Sequence, residues 1–399
     1  MKSKKLNIGL FVDVFYPMTD GVVMVVDNYA KRLAEYCNVI VFAPRYIGDN
    51  YDDSKFNYKV VRCRSLKVPF IDYSLPIPKI DADFQDTLNN YDLDIVHIHS
   101  PFTIGEAGIK YAKIHDIPVV GTMHSQYKKD FMRAVHNDTL AQTLTKALIH
   151  TYNKCDECWA VNKEVARIFY EEYGYKELPK VMNNATEMLP LDNVQEACKL
   201  VNEKYNLNDE KVFIFVGRIN ALKNIFFIAD ALKIVHEKRP DINFKMLFVG
   251  TGQDEEELKE KIKKDGLEEQ VIMCGKVTDR KMLASLYARS DLFLFPSMYD
   301  ASSIVQIEAA SQHTPCLFLE GAATTATVTN CVNGFISLND VHFYANYIIK
   351  LMDNPKVLKN VSNNAFRDLY KNWDDNIREV YDRYLCLIEE KKKTKKLEK

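Results

Sequence analysis

The sequence predicts an α/β protein with two domains, each built around a parallel sheet. Three observations lead to this prediction. Short apolar segments alternate with amphipathic helical segments along most of the chain, a pattern typical of βαβ units. The chain has 399 residues, 47% of them hydrophobic, which is enough for two hydrophobic cores. A stretch without periodicity at 183–195, which contains Pro190, separates two series of such units.

The overall charge and hydropathy exclude several classes of protein. A formal net charge of −2 gives no electrostatic basis for binding nucleic acid. No apolar run approaches the roughly 20 residues that span a bilayer, and the N-terminus lacks the apolar core of a signal peptide. We therefore expect a cytoplasmic protein without a nucleic-acid partner.

The nine cysteines are scattered and stand mostly within apolar segments. This distribution favours reduced core residues over a disulfide framework. Cys155 and Cys158 form the one close pair, and a zinc site would need a second pair or histidines at ligand spacing nearby. The sequence therefore predicts no metal site here.

The first series of units begins with a strand at 6–12, followed by a loop and a helix from Gly21 to about residue 36. Gly21 stands at a strand-to-helix junction, where a glycine either lets a ligand approach the backbone or simply caps the helix. Helices are predicted at 81–91 and, as one long stretch, at 127–154. The further predicted strands of this series are 38–43, 58–62, 94–98, 117–122, 157–161 and 180–182.

Two histidines follow strands of this series, at the edge where Gly21 is also expected. His99 comes after strand 94–98, and His124 comes after strand 117–122. A strand-end histidine is more often a hydrogen-bonded structural residue than a functional one. His124 lies in a polar Thr-Met-His-Ser-Gln loop that has no packing reason to be there, which favours a functional role. Parallel strands end on one edge, so these three residues are expected to share a cleft.

The second series places two cations on one loop. Strand 211–216 ends at Gly217, and Arg218 and Lys223 follow five residues apart. Such a pair can present two fixed positive charges to a diphosphate. Strands at 245–249, 271–274 and 292–295 continue the series.

The loop after strand 292–295 carries the second part of the candidate site. A helix is predicted to start at about Ile304, and the backbone N–H groups of a helix start bind anions. Asp300 and Glu308 flank this start. An anion site between two carboxylates suits a ligand that has both phosphate groups and many hydroxyls. Facing carboxyl edges of the two sheets would enclose such a ligand in an interdomain cleft.

Taken together, these stretches resemble the retaining glycosyltransferases of family 4. The resemblance covers most of the chain and implies the GT-B fold, in which two Rossmann-like parallel-sheet domains face each other across a cleft. It is carried by Gly21-Val22, by D-I-V-H-I-H-S-P-F at 94–102, by T-M-H-S at 122–125, by V-G-R at 216–218 with L-K-N at 222–224, and by the acids Asp300 and Glu308 with seven residues between them.

The resemblance implies roles for the residues of the second domain. Arg218 and Lys223 would bind the donor diphosphate and stabilise the charge on the leaving group, and Glu308 would hold the ribose hydroxyls. Asp300 occupies the position where the family usually has a glutamate that faces the transferred sugar. Backbone N–H groups at Ser303, Ile304 and Val305 would complete the phosphate site.

The remaining implied roles concern the first domain and the nucleotide base. His124 resembles the first-domain histidine beside the donor sugar, and Gly21 belongs to the loop that lets the diphosphate approach. Lys276 and Val277 stand where the family packs the base. No Asp-x-Asp motif stands at a strand end, so we expect neither a required metal nor another cofactor.

The family layout assigns 1–188 to an acceptor-binding domain and 189–372 to a nucleotide-sugar-binding domain. Residues 373–399 would form a helix that crosses back to the first domain, followed by a lysine-rich tail that is expected to be disordered. Asp300 is one methylene shorter than the usual glutamate, and Ala-Ser-Ser follows it where a glycine is common. These departures indicate either altered donor selectivity, which we favour, or lost activity.

The expected function is transfer of a hexose, glucose foremost, from a UDP-sugar to a lipid or glycan acceptor with retention of configuration. Within the family, the His-Ser-Pro-Phe-Thr and Thr-Met-His-Ser stretches look most like the diacylglycerol glucosyltransferases, and weak peripheral association with the inner membrane face would follow. Two alternatives stay open: a degenerate transferase that binds or stabilises an active partner, and a nucleotide-sugar epimerase of the same fold.

Overall fold

The computed structural model of the protein describes residues 5–48, 51–67 and 74–397. The chain divides into two compact units. Unit 1 contains the residues up to Asn184 together with those from Trp373 onward, and unit 2 is Ala185–Asn372. Unit 1 is therefore built from two separate parts of the chain.

Unit 1 alternates strands and helices, as the hydrophobic pattern predicts. Its strands are β1 (Asn7–Phe11), β2 (Asn38–Pro44), β3 (Lys59–Cys63), β4 (Ser65–Lys67), β5 (Ser74–Pro76), β6 (Ile95–Ile98), β7 (Val119–Met123), β8 (Glu157–Ala160) and β9 (Lys180–Val181). Its helices are α1 (Gly21–Leu33), α2 (Ala82–Asn89), α3 (Thr103–His115), α4 (Tyr127–Val135), α5 (Asp138–Tyr152) and α6 (Lys163–Arg167), which continues as a π-helical turn over Ile168–Glu172.

Seven of these strands form one parallel sheet in the order β3-β2-β1-β6-β7-β8-β9, and β4 pairs with β5 as a small antiparallel ribbon. The central strands are apolar on both faces because helices cover both faces. The order reverses between β1 and β6, so the loops that follow these two strands are neighbours at the sheet edge.

Unit 2 repeats the pattern. After α7 (Val194–Tyr205) its strands are β10 (Lys211–Val216), β11 (Phe244–Val249), β12 (Val271–Gly275), β13 (Leu292–Leu294), β14 (Cys316–Leu319) and β15 (Phe335–Ser337). Its further helices are α8 (Ile225–Lys238), α9 (Glu255–Lys264), α10 (Arg280–Arg289), α11 (Ile304–Ser311), α12 (Val341–Met352) and α13 (Pro355–Leu369).

The sheet of unit 2 is parallel and has the order β12-β11-β10-β13-β14-β15. Its reversal lies between β10 and β13. The loop after β10 carries Arg218 and Lys223, and the loop after β13 carries Asp300. The topology therefore places the two predicted halves of the anion site next to each other, where α/β sheets bind their ligands.

The last helix, α14 (Trp373–Leu397), belongs to unit 1 and packs on α1. Its Tyr384 is fully buried, and the hydroxyl lies 2.5 Å from Nδ1 of His97 in β6. Nearer the surface, Nε of Arg383 lies 3.0 Å from Oε2 of Glu157 in β8. The C-terminal end of the chain thus completes the core of its first half.

Two features of the helices differ from the sequence prediction. The helical stretch predicted at 127–154 is two helices, because His136 adopts a left-handed conformation with φ of 49° and Asn137 caps α5 through Leu140 N–H. The lysine-rich tail predicted to be disordered is helical as far as Leu397. Lys391 and Lys395 in that helix pair with Asp116, which holds it against the unit; the last two residues lie outside the described part.

We predict that Tyr384→Phe destabilises unit 1 by about 1–3 kcal/mol, because it leaves Nδ1 of buried His97 without its hydroxyl partner. Both tryptophans of the chain, Trp159 and Trp373, lie in unit 1, so denaturant unfolding followed by tryptophan fluorescence reports on that unit. Tyr381→Phe is the matched control: Tyr381 lies on the same helix, half-buried, and should change the stability by less than about 0.5 kcal/mol. Equal midpoints for the two variants would contradict the role given to Tyr384.

Candidate functional site

The loops at the carboxyl edge of the second sheet are tied together through their backbones. The N–H of Gly217 donates to the carbonyl of Val249, and that of Ile219 to the carbonyl of Thr251, at 3.0 and 3.1 Å. This approach requires glycine at 250: its φ is +139°, and a Cβ there would lie 1.9 Å from the carbonyl oxygen of Gly217. The loop that bears the predicted cations is therefore fixed by its neighbour.

The two cations lie on that fixed loop, between β10 and α8. Arg218 is exposed, and Lys223 is half-buried with its side chain 20% exposed. The side chain of Asn220 accepts from the N–H of Lys223, and the amide of Asn224 donates to the carbonyl of Pro296 at 3.2 Å. The second of these bonds joins the loop after β10 to the loop after β13.

Lys223 forms a short ion pair with Asp300. Oδ1 of Asp300 contacts the ammonium, and Oδ2 accepts from the hydroxyl of Ser297 at 2.6 Å. The resemblance places Asp300 toward the transferred sugar, whereas this structure holds its carboxylate against a cation of the predicted diphosphate site. A diphosphate that binds Lys223 therefore competes with Asp300 for the ammonium.

The start of α11 carries the hydrogen-bond donors on which the predicted anion site depends. Ser303 precedes the first helical residue, and its side chain makes no capping bond to the helix. Among the described residues its hydroxyl is buried without a hydrogen-bond partner. The N–H groups of Ile304 and Val305 belong to the first turn, which has no intrahelical acceptor for them. An anionic oxygen placed here would accept from both kinds of donor.

Glu308 lies one turn further along α11 and is buried, with 5% of its surface exposed. Its Oε1 lies 2.7 Å from Nη2 of Arg280, and its Oε2 accepts from the hydroxyl of Tyr287 at 3.3 Å. Burial raises the pKa of Glu308, and the guanidinium of Arg280 opposes that rise. Sequence reasoning missed Arg280 and Tyr287, because neither stands in a motif and each lies more than 20 residues from Glu308.

Lys276 and Val277 follow β12 on the same edge. Lys276 is exposed, whereas Val277 is half-buried and packs against the core of unit 2. Asp279 then caps α10 by accepting from the N–H groups of Lys281 and Met282. The structure therefore brings the residues predicted for the base to the edge that carries the cations and Glu308.

In unit 1 the strand-end histidines meet. Nδ1 of His99 lies 3.1 Å from Nε2 of His124, and the two rings differ in plane by 24°. His97 stacks on His99 at 4.0 Å between ring centroids and bonds Tyr384 and Thr122 through its two nitrogens. Burial lowers the pKa of all three imidazoles, that of His124 to about 3. The lowered pKa values favour the neutral form of all three imidazoles, in which a ring can donate and accept hydrogen bonds.

Gly21 is the first residue of α1, and Asp20 is its cap, with a carboxylate that accepts from the N–H of Val23 at 2.9 Å. A Cβ added at Gly21 would meet nothing within 4 Å. Packing within unit 1 therefore does not require glycine at this position, and its role in ligand binding stays a prediction.

Asp13 is an acidic residue of unit 1 that was not predicted from the sequence as a site residue. It follows β1 and lies against the start of α3, where it accepts from the N–H of Ile104 at 2.9 Å and from the hydroxyl of Thr103 at 3.0 Å. The cap residue Phe102 offers no side-chain acceptor, so Asp13 supplies it from another loop. Burial raises the pKa of Asp13 to about 6. Its position after the first strand was the signal for it.

Among the residues that the structure describes, no three or more His, Cys, Asp and Glu side chains are grouped to hold a metal ion. Cys155 and Cys158 are both buried thiols. The expectation that the reaction needs no metal stays a prediction. Within the same described ranges, none of the helices has the length and apolar character of a membrane span.

Comparison with known proteins agrees with this architecture. Residues 19–187 match the family model described as Glycosyltransferase Family 4, and residues 199–368 match the model described as Glycosyl transferases group 1. Solved structures with the same fold include Anabaena HepE in complex with UDP, with a TM-score of 0.74 and 16% identity over 95% of this chain and 99% of that one. A sucrose-phosphate synthase from Thermosynechococcus elongatus has a TM-score of 0.78 at 17% identity over 96% of this chain and 99% of its own.

Curated relatives resemble the chain along most of its length. The alpha-monoglucosyldiacylglycerol synthase of Acholeplasma laidlawii is 24% identical over 374 residues, which cover 90% of this chain and 92% of that protein. The enzyme of the same name from Streptococcus pneumoniae is 24% identical over 78% of this chain and 70% of its own. The two family models fall on the two predicted series of βα units, and the solved structures share the fold. The chain is a glycosyltransferase of family 4 with the GT-B fold.

Proposed function

We propose that this hexosyltransferase moves glucose from UDP-glucose, or a related UDP-hexose, to a lipid acceptor with retention of configuration. The observation that carries the donor half is the edge of the second sheet. Arg218 and Lys223, the start of α11 with the buried hydroxyl of Ser303, and buried Glu308 all lie there. Cations and helix N–H groups suit a diphosphate, and a buried carboxylate suits ribose hydroxyls.

The proposed catalysis depends on stabilising the negative charge that develops on the leaving diphosphate. Breaking the bond between the sugar carbon and the phosphate oxygen leaves negative charge on the departing UDP. Arg218, Lys223 and the N–H groups of Ile304 and Val305 are fixed donors for that charge, and fixed donors lower the barrier directly. In this proposal the pair between Lys223 and Asp300 opens when the diphosphate binds, which frees the Asp300 carboxylate for the sugar.

Unit 1 would bind the acceptor. Neutral His124, held by His99, would serve the sugar side of the reaction as a hydrogen-bonding group, and Gly21 would leave its helix start open to the diphosphate. The lipid acceptor is supported by the two named glucosyldiacylglycerol synthases, each related to most of this chain. Uracil as the base of the donor nucleotide is supported by the UDP complex of a protein with the same fold. Peripheral association with the inner membrane face is part of the proposal, because a lipid acceptor lies at a membrane surface.

Calorimetry with UDP, GDP and ADP tests the donor base, and we expect UDP to bind most tightly. A panel of UDP-hexoses with diacylglycerol as acceptor then tests the chemistry through release of UDP. Conversion of the donor without any acceptor would favour the epimerase alternative instead. Release of no nucleoside diphosphate with any donor and acceptor would contradict the proposal and favour the degenerate partner.

We predict that Arg218→Ala and Lys223→Ala each lower kcat by about 100-fold or more, because each removes a fixed donor to the leaving diphosphate. Steady-state kinetics with the preferred UDP-hexose provides the measurement. Arg239→Ala is the control, since Arg239 ends α8 and pairs with Asp241 and Asp353 at the surface. Turnover that survives both substitutions at the control level would refute the roles of Arg218 and Lys223.

We also predict that Asp300→Glu changes the choice of donor sugar. The longer side chain cannot keep both contacts, to Lys223 and to Ser297, in their present geometry. The ratio of kcat/KM between UDP-glucose and UDP-galactose should shift by about tenfold. Asp353→Glu makes the same change at a surface ion pair and should leave the ratio unaltered. An unchanged ratio in Asp300→Glu would show that residue 300 does not face the sugar.

A further inference from the structure

Within the part of the chain that the structure describes, Arg280 is the cation that pairs with buried Glu308. It contacts Oε1 of Glu308 at 2.7 Å, and the neutral hydroxyl of Tyr287 donates to Oε2 at 3.3 Å. A second acid, Glu187, acts electrostatically on both Glu308 and Arg280 and opposes the ionisation of Glu308. A buried carboxylate beside another acid stays charged only if a partner compensates for its lost hydration.

The carboxylate of Glu308 has acceptor capacity left over. An ionised carboxylate offers about four acceptor positions on its two oxygens. Arg280 occupies one position on Oε1, and Tyr287 occupies one on Oε2. The remaining positions can accept two neighbouring hydroxyls, such as the cis-diol of a ribose. A protonated carboxyl would give up part of this capacity and all of its charge.

Arg280 and Glu308 come from different helices, α10 and α11. Arg280 is the first residue of α10, four residues after Lys276, and its side chain is half-exposed. It therefore connects the loop proposed to pack the nucleotide base with the helix that carries the ribose carboxylate. Half of the Arg280 side chain faces solvent, whereas the Glu308 side chain is 6% exposed.

We propose that Arg280 is a positioning residue for the donor nucleotide, which holds Glu308 ionised and oriented so that both ribose hydroxyls donate to it. This inference rests on the proposed function, because it takes the ligand at this edge to be a UDP-sugar. Arg280 acts through Glu308 and need not touch the reacting atoms.

The test is calorimetric titration of UDP into the full-length protein and into Arg280→Gln, at mildly alkaline, neutral and mildly acidic pH. Loss of the guanidinium removes the opposition to protonation of Glu308, so the carboxyl takes up its proton at a higher pH than in the wild type. The Kd of the variant relative to that of the wild type should therefore rise as pH falls, and reach about tenfold on the acidic side. Using this ratio cancels the titration of the UDP phosphate itself.

Three further variants separate positioning from a general structural effect. Arg280→Lys keeps a cation and should restore most of the affinity and the pH profile of the wild type. Glu308→Gln cannot ionise, so adding Arg280→Gln to it should change the Kd no further. Arg239→Gln removes a comparable surface ion pair at the end of α8 and should bind UDP like the wild type.

A loss of affinity that is the same at every pH, or that persists in the Glu308→Gln background, would overturn the inference. Wild-type affinity in Arg280→Gln would overturn it as well. If the wild type itself binds no UDP, the proposed function is wrong. The effect of Arg280 on the ionisation of Glu308 can then still be tested without a ligand. Carboxyl ¹³C NMR, with the Glu308 signal identified by its absence in Glu308→Gln, must then show a higher titration midpoint in Arg280→Gln; an unchanged midpoint contradicts it.

Discussion

Each unit of this protein is built on a sheet whose strands all run in the same direction, and the position of every candidate residue follows from that constraint. A parallel strand can be followed only by a crossover, so each strand must end at the same edge as the others. The strand order of unit 2 reverses between β10 and β13, which makes the loops carrying Lys223 and Asp300 neighbours. In unit 1 the ends of β6 and β7 bring His99 to His124 in the same way.

A second feature is that carboxylates at the edge of unit 2 form ion pairs with cations that are distant in sequence. Lys223 after β10 holds Asp300 after β13, and Arg280 after β12 holds Glu308 in α11. The first pair connects two loops, and the second connects the start of α10 to α11. In the proposed function, a diphosphate takes the place of Asp300 at Lys223, whereas a ribose uses acceptor positions of Glu308 that Arg280 does not occupy. The two pairs meet the ligand by different mechanisms, although both are a carboxylate beside a cation.

The sequence predicts the parts of this structure that depend on local pattern. The strands and helices, the strand-end positions of Arg218 and His124 and the helix start at Ile304 follow from periodicity and from Gly and Pro signals. Contacts between loops distant in sequence were not predictable, and Arg280 with Glu308 is the main example. The break at His136 was missed because a histidine in a left-handed conformation leaves no composition signal. The helical tail was missed because Asp116, the carboxylate that pairs with its Lys391 and Lys395, lies far back in the chain.

The division of the chain also affects how the protein is made. Unit 1 begins at the N-terminal end but lacks α14 until the final part of the sequence has been synthesised, whereas unit 2 is complete once Asn372 has been added. Tyr384 is the partner of Nδ1 of His97, so on the ribosome this nitrogen lacks that partner until α14 has been translated. Domains fold as units during synthesis. Unit 2 can thus reach its native state first, and unit 1 can be completed only after α14 has left the ribosome exit tunnel.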